Sequence, residues 1–410
     1  MTNNIDTDLC ISELFSKLNI FPQFTKNNVP IVFSSSNLYA RYVSVSIISL
    51  LENSDSSYNY DINILETDLS EEIKNRLKSI EMDYSNVAIR FINLQDILEH
   101  LFCHFYLRGQ VTKESYYRFF IGEILKNYEK VIYLDADTVV KGNIVELYNQ
   151  KVDANLLAAV NDVSILLGAI TKYKRADIPY TYDIYFTDVL KILPNSYIQA
   201  GVMLMNTKKM YQDNFAQKCM DKLYEIGKPL WVDQDIINIV ANKKIKYIDI
   251  KWNYGLHIKE TEDFASIPNQ LYKNVVNQRN DIKILHMTGP KCDTYPHNEF
   301  SDIFWKYARL SPFYEILLFD NILRMPARWN NELANIHFPN INNHFAKNEK
   351  DMKLLFVMAH PVKFRLKKWC YGIKKAFAFG KRHKKYQNKF NAVKQLIKEA
   401  KIYEKQLAGI

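Results

Sequence analysis

Apolar residues along this chain fall into short runs separated by longer amphipathic stretches. "VPIVFSSS", from Val29, is a run of β-branched and aromatic residues ending in small polar ones, the pattern of a buried strand passing into a loop. "ARYVSVSIISLLEN", from Ala40, sets its apolar positions on a broad helical stripe. "YDINILET" reads as the next strand, and "VAIRFIN" as a third. Between them "DLSEEIKNRLKSI" predicts a helix with Asp68 or Ser70 as N-cap and acids in its first turn. "KESYYRFFIGEILKN" predicts a helix leading directly into the strand Lys130 to Leu134 of "YEKVIYLDADTVV". Further on, "ANLLAAVND", "YIQAGVMLMN", "IKYIDI" and "IKILHM" predict strands, and "WVDQDIINIVAN" a helix start. Short Val/Ile-rich strands alternating with helices predict an α/β fold whose mostly parallel sheet is covered on both faces and binds ligands at the carboxyl ends of its strands.

From Pro312 the pattern loosens and becomes Asn-rich ("RWNNELANIHFPNINNH"), then helical periodicity resumes. Leu366, Trp369, Cys370, Ile373 and Phe377 fall on one face, and Phe390, Val393, Ile397 and Ala400 on another. The expected organisation is a polar leader over residues 1–28, a catalytic domain over 29–311, a linker region over 312–362 and a basic amphipathic helical tail over 363–410.

Charge sharpens that division. The net charge of +9 is misleading as a whole-chain property, because residues 363–405 hold 15 Lys/Arg against two acids and the remainder is net acidic. Basicity confined to a tail argues against a nucleic-acid-binding protein. Lysines interleaved with Trp369, Tyr371, Phe377 and Phe379 suit an interfacial helix on anionic lipid, with a helix packed on the catalytic domain as the plain alternative and RNA binding as a lesser one. The five cysteines are scattered and in no zinc spacing, which suits free thiols in a reducing compartment. The N-terminus lacks the pattern of a signal peptide, and no apolar run approaches the ~20 residues that span a bilayer. The expectation is a cytoplasmic protein, peripheral at the inner face of the membrane.

Asp135 and Asp137, with Ala136 between them, follow the strand at once. Two carboxylates fixed so close suit a hard divalent cation. An EF-hand fails, because Val139 and Val140 stand where an oxygen ligand and a glycine are needed. "YLDADTVV" also has the shape of a haloacid-dehalogenase-type phosphohydrolase, but the later acidic pair of that chemistry is missing. The third reading clamps a nucleotide diphosphate through the cation.

For that reading the chain resembles a known family. "PIVFSSSNLYARYVSVSIISLLEN", "INILETDLSEEIKNRL", "YYRFFIGEIL", "KVIYLDADTVVKGNI", "YIQAGVMLMN", "WVDQDIIN" and "HMTGPK" occur in the order and spacing of a family 8 retaining glycosyltransferase, over residues 30–291. The resemblance implies a GT-A-type, Rossmann-like sheet flanked by helices. It also implies transfer of glucose or galactose from a UDP-sugar to a lipopolysaccharide- or lipooligosaccharide-type acceptor, with Mn2+ as cofactor (Mg2+ as the alternative). Asp135, Asp137 and His286 match the metal ligands. Arg118 matches an arginine near the donor phosphates, and Gly289 and Lys291 the phosphate-binding pair, with the lysine one residue early and the usual Pro-Trp absent. Asp233, Gln234 and Asp235 match the residues around the anomeric carbon, and Asp162 a sugar-hydroxyl contact. Asp235 is the candidate nucleophile of a double displacement; a front-face route would use the leaving phosphate as base, with Gln234 steadying the sugar. Tyr39 keeps the base-stacking position, Ser36 replaces an acid that contacts uracil, Leu38 replaces an amide, and Gln199 replaces an Asn. Ala136 and Ala200 line the same donor site. A non-catalytic sugar-nucleotide-binding relative is the alternative within the family. The 172–197 stretch is expected to be an acceptor-side lid.

Overall fold

The structure, a computed structural model, describes residues 10–109, 111–175, 178–255, 269–289, 291, 300–321, 368, 370, 371 and 380–407. Two compact units divide the chain, Met1–Arg324 and Met325–Ile410. In the first, seven strands form the main sheet: β1 (Asn28–Ser34), β2 (Asn59–Glu66), β3 (Val87–Asn93), β4 (Val131–Leu134), β6 (Leu157–Ala159), β7 (Val202–Met205) and β8 (Ile245–Tyr247). Their order is β3-β2-β1-β4-β7-β6-β8, and only β7 runs against the others. β1 and β4 are almost wholly buried, as the near-continuous apolar runs of a sheet covered on both faces require. The order turns outward on either side of β1 and β4, and their carboxyl ends deliver Ser34–Ser36 and Asp135–Asp137 to one edge.

A second sheet joins β5 (Thr138–Val140), β9 (Tyr254–Gly255) and β10 (Ile284–His286) in the order β5-β10-β9. β10 therefore enters this small sheet, and its register sets His286 opposite Thr138. Helix Ala40–Glu52 is buried along Ala40–Leu51, so the stripe expected of it becomes a fully enclosed core helix. It anchors β5 through Ser46 Oγ with Thr138 Oγ1 (2.8 Å) and through Ser49 Oγ, which accepts Val140 N–H (2.8 Å). Ser70 caps helix Glu71–Lys78, its hydroxyl accepting Ile73 N–H at 3.4 Å.

Three segments differ in form from the sequence expectation. Lys113–Phe120 winds as a 3-10 helix and only Ile121–Ile124 as α; every residue from Tyr116 to Ile124 is buried, so no solvent face favours regular α winding. In the leader, Ile11 and Phe15 are buried, with Phe15 stacked on Phe120 (centroids 5.5 Å apart). Past residue 311, Phe313 and Leu317 pack into the same core as β1. The 172–197 stretch holds its own aromatic core. Tyr182, Tyr185, Phe186 and Tyr197 pack around Trp231, with a π-helical turn at Tyr185–Leu190.

In the second unit, helix Gly380–Leu407 buries Val393 and Ala400, half-buries Phe390 and Ile397, and exposes Lys384, Lys385, Lys389, Lys394, Lys398 and Lys401. Leu366, Trp369, Ile373, Phe377 and Phe379 lie outside the described residues. Among the described residues, no helix is long and apolar enough to cross a membrane.

Candidate active site

β4 and β5 hold the aspartates between two backbone clamps. Asp135 N–H donates to the Gly201 carbonyl (2.7 Å), and Met287 N–H to the Asp137 carbonyl (2.9 Å). The second clamp, together with the β10–β5 register, brings His286 to the pair. Nε2 of His286 lies 3.3 Å from Asp137 Oδ1 and 3.6 Å from Asp135 Oδ2, and one ligand atom from each of the three lies within 4.8 Å of the others. His286 and Asp137 are buried and Asp135 half-buried. Gly201 forms the floor: a methyl group there would overlap His286 Cε1 and come within 2.7 Å of Asp135 Oδ2. Two carboxylates and an imidazole in a cradle shaped to their atoms fit a divalent cation of the Mn2+ or Mg2+ kind. Burial alone would raise the Asp137 carboxyl, but the Lys291 ammonium paired with it holds it well below the usual carboxylate range. Lys291 also donates to the Met287 carbonyl (3.0 Å).

This triad closes one end of a cavity of about 270 Å³. Ser36, Tyr39, Arg118, Asp135, Ala136, Asp137, Gln199, His286, Gly289 and Lys291, ten of the residues singled out from sequence, line it. Gly289 does so with φ +88°, a backbone conformation that favours glycine. Leu38 points away, 58% exposed.

A second cavity of about 350 Å³ shares Arg118 and Asp135 with the first and adds Trp231, Asp233 and Gln234. Arg118 is the post between the two. Its Nη2 lies 3.3 Å from Asp135 Oδ1, its Nη1 donates to the Ala200 carbonyl (2.7 Å), and its Nε–H donates to the Ser115 carbonyl (2.9 Å). Asp233 Oδ2 lies 2.9 Å from the same Nε, an ionic neighbour that leaves this oxygen with no hydrogen-bond partner. Burial pushes the Asp233 carboxyl up to about 7, against the Arg118 charge and with the help of Asp135. Val232, just before it, has φ +52°, an outlier for a β-branched residue and a strained entry to helix Val232–Val240.

Gln234 is tied on both sides of its amide. Oε1 accepts Ala200 N–H (3.0 Å), and Nε2 donates to Asp162 Oδ2 (3.1 Å) and Tyr197 Oη (3.3 Å). Asp162 also caps helix Val163–Ile170 by accepting Ile165 N–H at 3.1 Å. Asp235 faces inward and lines neither cavity. It is fully buried; Tyr197 Oη donates to Oδ1 (2.6 Å), and Tyr185 Oη and Trp231 N–H donate to Oδ2 (2.7 and 2.9 Å). Burial raises its carboxyl to about 6 despite these donors.

Several participants escaped sequence reasoning. Asn253 holds His286, its Oδ1 2.9 Å from Nδ1. Tyr133 Oη donates to Asp135 Oδ1 (3.0 Å). Glu114, buried on the wall of the first cavity, keeps Oε2 without a hydrogen-bond partner. Glu114 and Tyr133 stand in segments that were read as a helix and a strand, so a side chain facing the site was there to be asked about. A lone Asn in "KWNYG" gives no such cue.

The mostly parallel sheet with its antiparallel β7, carrying at its exit a triad that could hold a cation beside two adjoining cavities, is the architecture of a GT-A-type transferase. The family model for glycosyl transferase family 8 matches residues 30–291, and the chain belongs to that family. It is 26% identical over 318 residues to a protein named as a glycosyltransferase in Haemophilus influenzae, covering 75% of this chain and 84% of that one. It is 25% identical over 251 residues to a lipopolysaccharide 1,2-glucosyltransferase of Escherichia coli, covering 60% of this chain and 67% of that one. The apo structure of the bifunctional glycosyltransferase WbbM superposes with a TM-score of 0.65 at 27% identity, covering 73% of this chain and 52% of that one. The protein is a glycosyltransferase, and the phosphohydrolase alternative is not favoured.

Proposed function

We propose that the protein transfers glucose or galactose from a UDP-sugar, with retention of configuration, to a lipopolysaccharide- or lipooligosaccharide-type acceptor. The observation that carries this reading is the Asp135–Asp137–His286 triad in the cavity lined by the nucleotide-side residues, with Asp135 shared by the adjoining cavity of Asp233 and Gln234. A bound Mn2+ or Mg2+ would supply Lewis-acid stabilisation of the diphosphate leaving group. Lys291 and the Gly289 turn bind the phosphates, the lysine exchanging its Asp137 partner for a phosphate oxygen. Tyr39 stacks on the base, with Ser36 on the same wall. Arg118 bridges Asp135 and Asp233 at the point where the sugar joins the phosphate. The oxygens of Asp235 are already occupied by Tyr185, Tyr197 and Trp231, which favours the front-face route over a double displacement through Asp235. In this reading Asp235 positions Gln234 and the 172–197 segment covers the acceptor side.

The tail, residues 363–405, holds the enzyme on anionic lipid at the cytoplasmic face of the membrane, with the exposed lysines of helix Gly380–Leu407 as the contact. The catalytic reading is tested with a panel of nucleotide sugars and Mn2+. Slow hydrolysis of UDP-glucose or UDP-galactose, abolished in Asp135→Ala and Asp137→Ala, is expected. Donor binding without any turnover would instead mark a non-catalytic relative.

A further inference from the structure

Gly201 N–H donates to Gln199 Oε1 at 2.6 Å. A backbone N–H only donates, so this bond fixes which end of the Gln199 amide is oxygen. The same Oε1 lies 2.5 Å from the Asn253 side-chain amide. Facing an oxygen that only accepts, that end of Asn253 is Nδ2, and its Oδ1 therefore faces His286 Nδ1 at 2.9 Å. An amide oxygen cannot donate, so Nδ1 carries a proton. The lone pair of the neutral ring is then on Nε2, which looks towards Asp137 Oδ1 and Asp135 Oδ2. Asn253 and His286 are 4% and 2% exposed, so these protein partners, and not bulk water, decide the tautomer.

We propose that Asn253, itself held by Gln199, is a positioning residue that keeps His286 Nδ1 protonated and so sets the affinity of the triad for a divalent cation. The inference rests on reading the triad as a cation site. Its physical need is visible in the geometry. Nε2 lies beside both carboxylates, where a cation would sit, and a proton on it would block it as a ligand. The relay offers an acceptor on the far side of the ring and favours the tautomer that leaves Nε2 open. Gln199, one methylene longer than Asn, is what spans from Gly201 N–H to Asn253.

Two measurements test this. Nitrogen-15 NMR of the cation-free wild type, with histidine labelled, reads the ring directly: the neutral ring is expected to carry its proton on Nδ1. A neutral ring protonated only at Nε2 would overturn the relay. Titration calorimetry with Mn2+ gives the second readout. Asn253→Leu is expected to weaken binding about 10–100-fold, and Gln199→Met, which leaves Asn253 in place, to weaken it in the same direction. Unchanged affinity in a folded Asn253→Leu, or in Gln199→Met should the leucine variant not fold, would overturn the proposal. A wild type that binds no Mn2+ would sink the cation-site reading itself, a failure distinct from an Nε2-protonated ring in a protein that binds Mn2+.

Discussion

Replacing Gly201 by alanine adds one methyl group at the most crowded point of the triad. That methyl would overlap His286 Cε1 and stand 2.7 Å from both His286 Nδ1 and Asp135 Oδ2, well inside van der Waals contact. His286 cannot retreat freely, because it is buried and bonded to Asn253. Nor can the Gly201 backbone move alone, since its carbonyl accepts Asp135 N–H. Overpacking of this kind costs about 1–3 kcal/mol. The displaced imidazole carries a second, separable cost. A cation at a hundred times its Kd would stabilise the wild type by about 2.7 kcal/mol, and Gly201→Ala should lose that increment. Urea unfolding, run once with chelator and once with Mn2+, reads the two effects apart. The expected result is a variant less stable by about 1–3 kcal/mol without cation and insensitive to Mn2+. Wild-type stability together with a wild-type response to Mn2+ would refute the packing argument.

Arg118→Met leaves Asp135 and Asp233 without their shared cation. Equilibrium unfolding should show a loss of about 3–5 kcal/mol, and a loss below about 1 kcal/mol, the scale of an exposed pair, would mean that the ion pairs are not structural. Asp235 predicts a pH effect. Its carboxyl is raised from the ordinary 3.8 to about 6 by burial, so its contribution to stability is full below pH 3.8 and is lost as pH rises through about 6. Asp235→Asn should flatten that part of the stability–pH curve; parallel wild-type and variant curves from pH 4 to 7 would contradict it. Deleting residues 363–410 should abolish flotation with anionic vesicles, and binding that survives deletion would place the lipid contact elsewhere.

The main sheet was legible because its strands are buried on both faces and so carry continuous Val/Ile runs, as in β1 and β4. The aspartate pair was legible because it stands directly at a strand exit. What brings His286 to it was not: a three-residue strand in a separate sheet pairs with β5 across a long sequence separation, and no local pattern encodes that partner. Gly201 is hidden for a similar reason, since its role is to lack a side chain beside His286 and Asp135. Asp235 entered from the sequence, by resemblance, as the candidate nucleophile near a helix start. The hydroxyls that saturate it come from Tyr185, in the stretch expected to be a lid, and from Tyr197, where that stretch meets the strand run "YIQAGVMLMN". Arg118 could be tied to the aspartates by resemblance, but its burial and its ion pair with Asp233 belong to tertiary packing.

The central claim is that Asp135, Asp137 and His286 grip a UDP-sugar through a divalent cation. A crystal structure with Mn2+ and a non-hydrolysable UDP-sugar analogue, read with anomalous scattering at the manganese edge, tests it directly. A single Mn2+ peak bonded to all three side chains and to the diphosphate is expected, with the base against Tyr39 and the sugar beside Asp233 and Gln234. Nucleotide bound with no cation at the triad, or a cation held elsewhere, would contradict it.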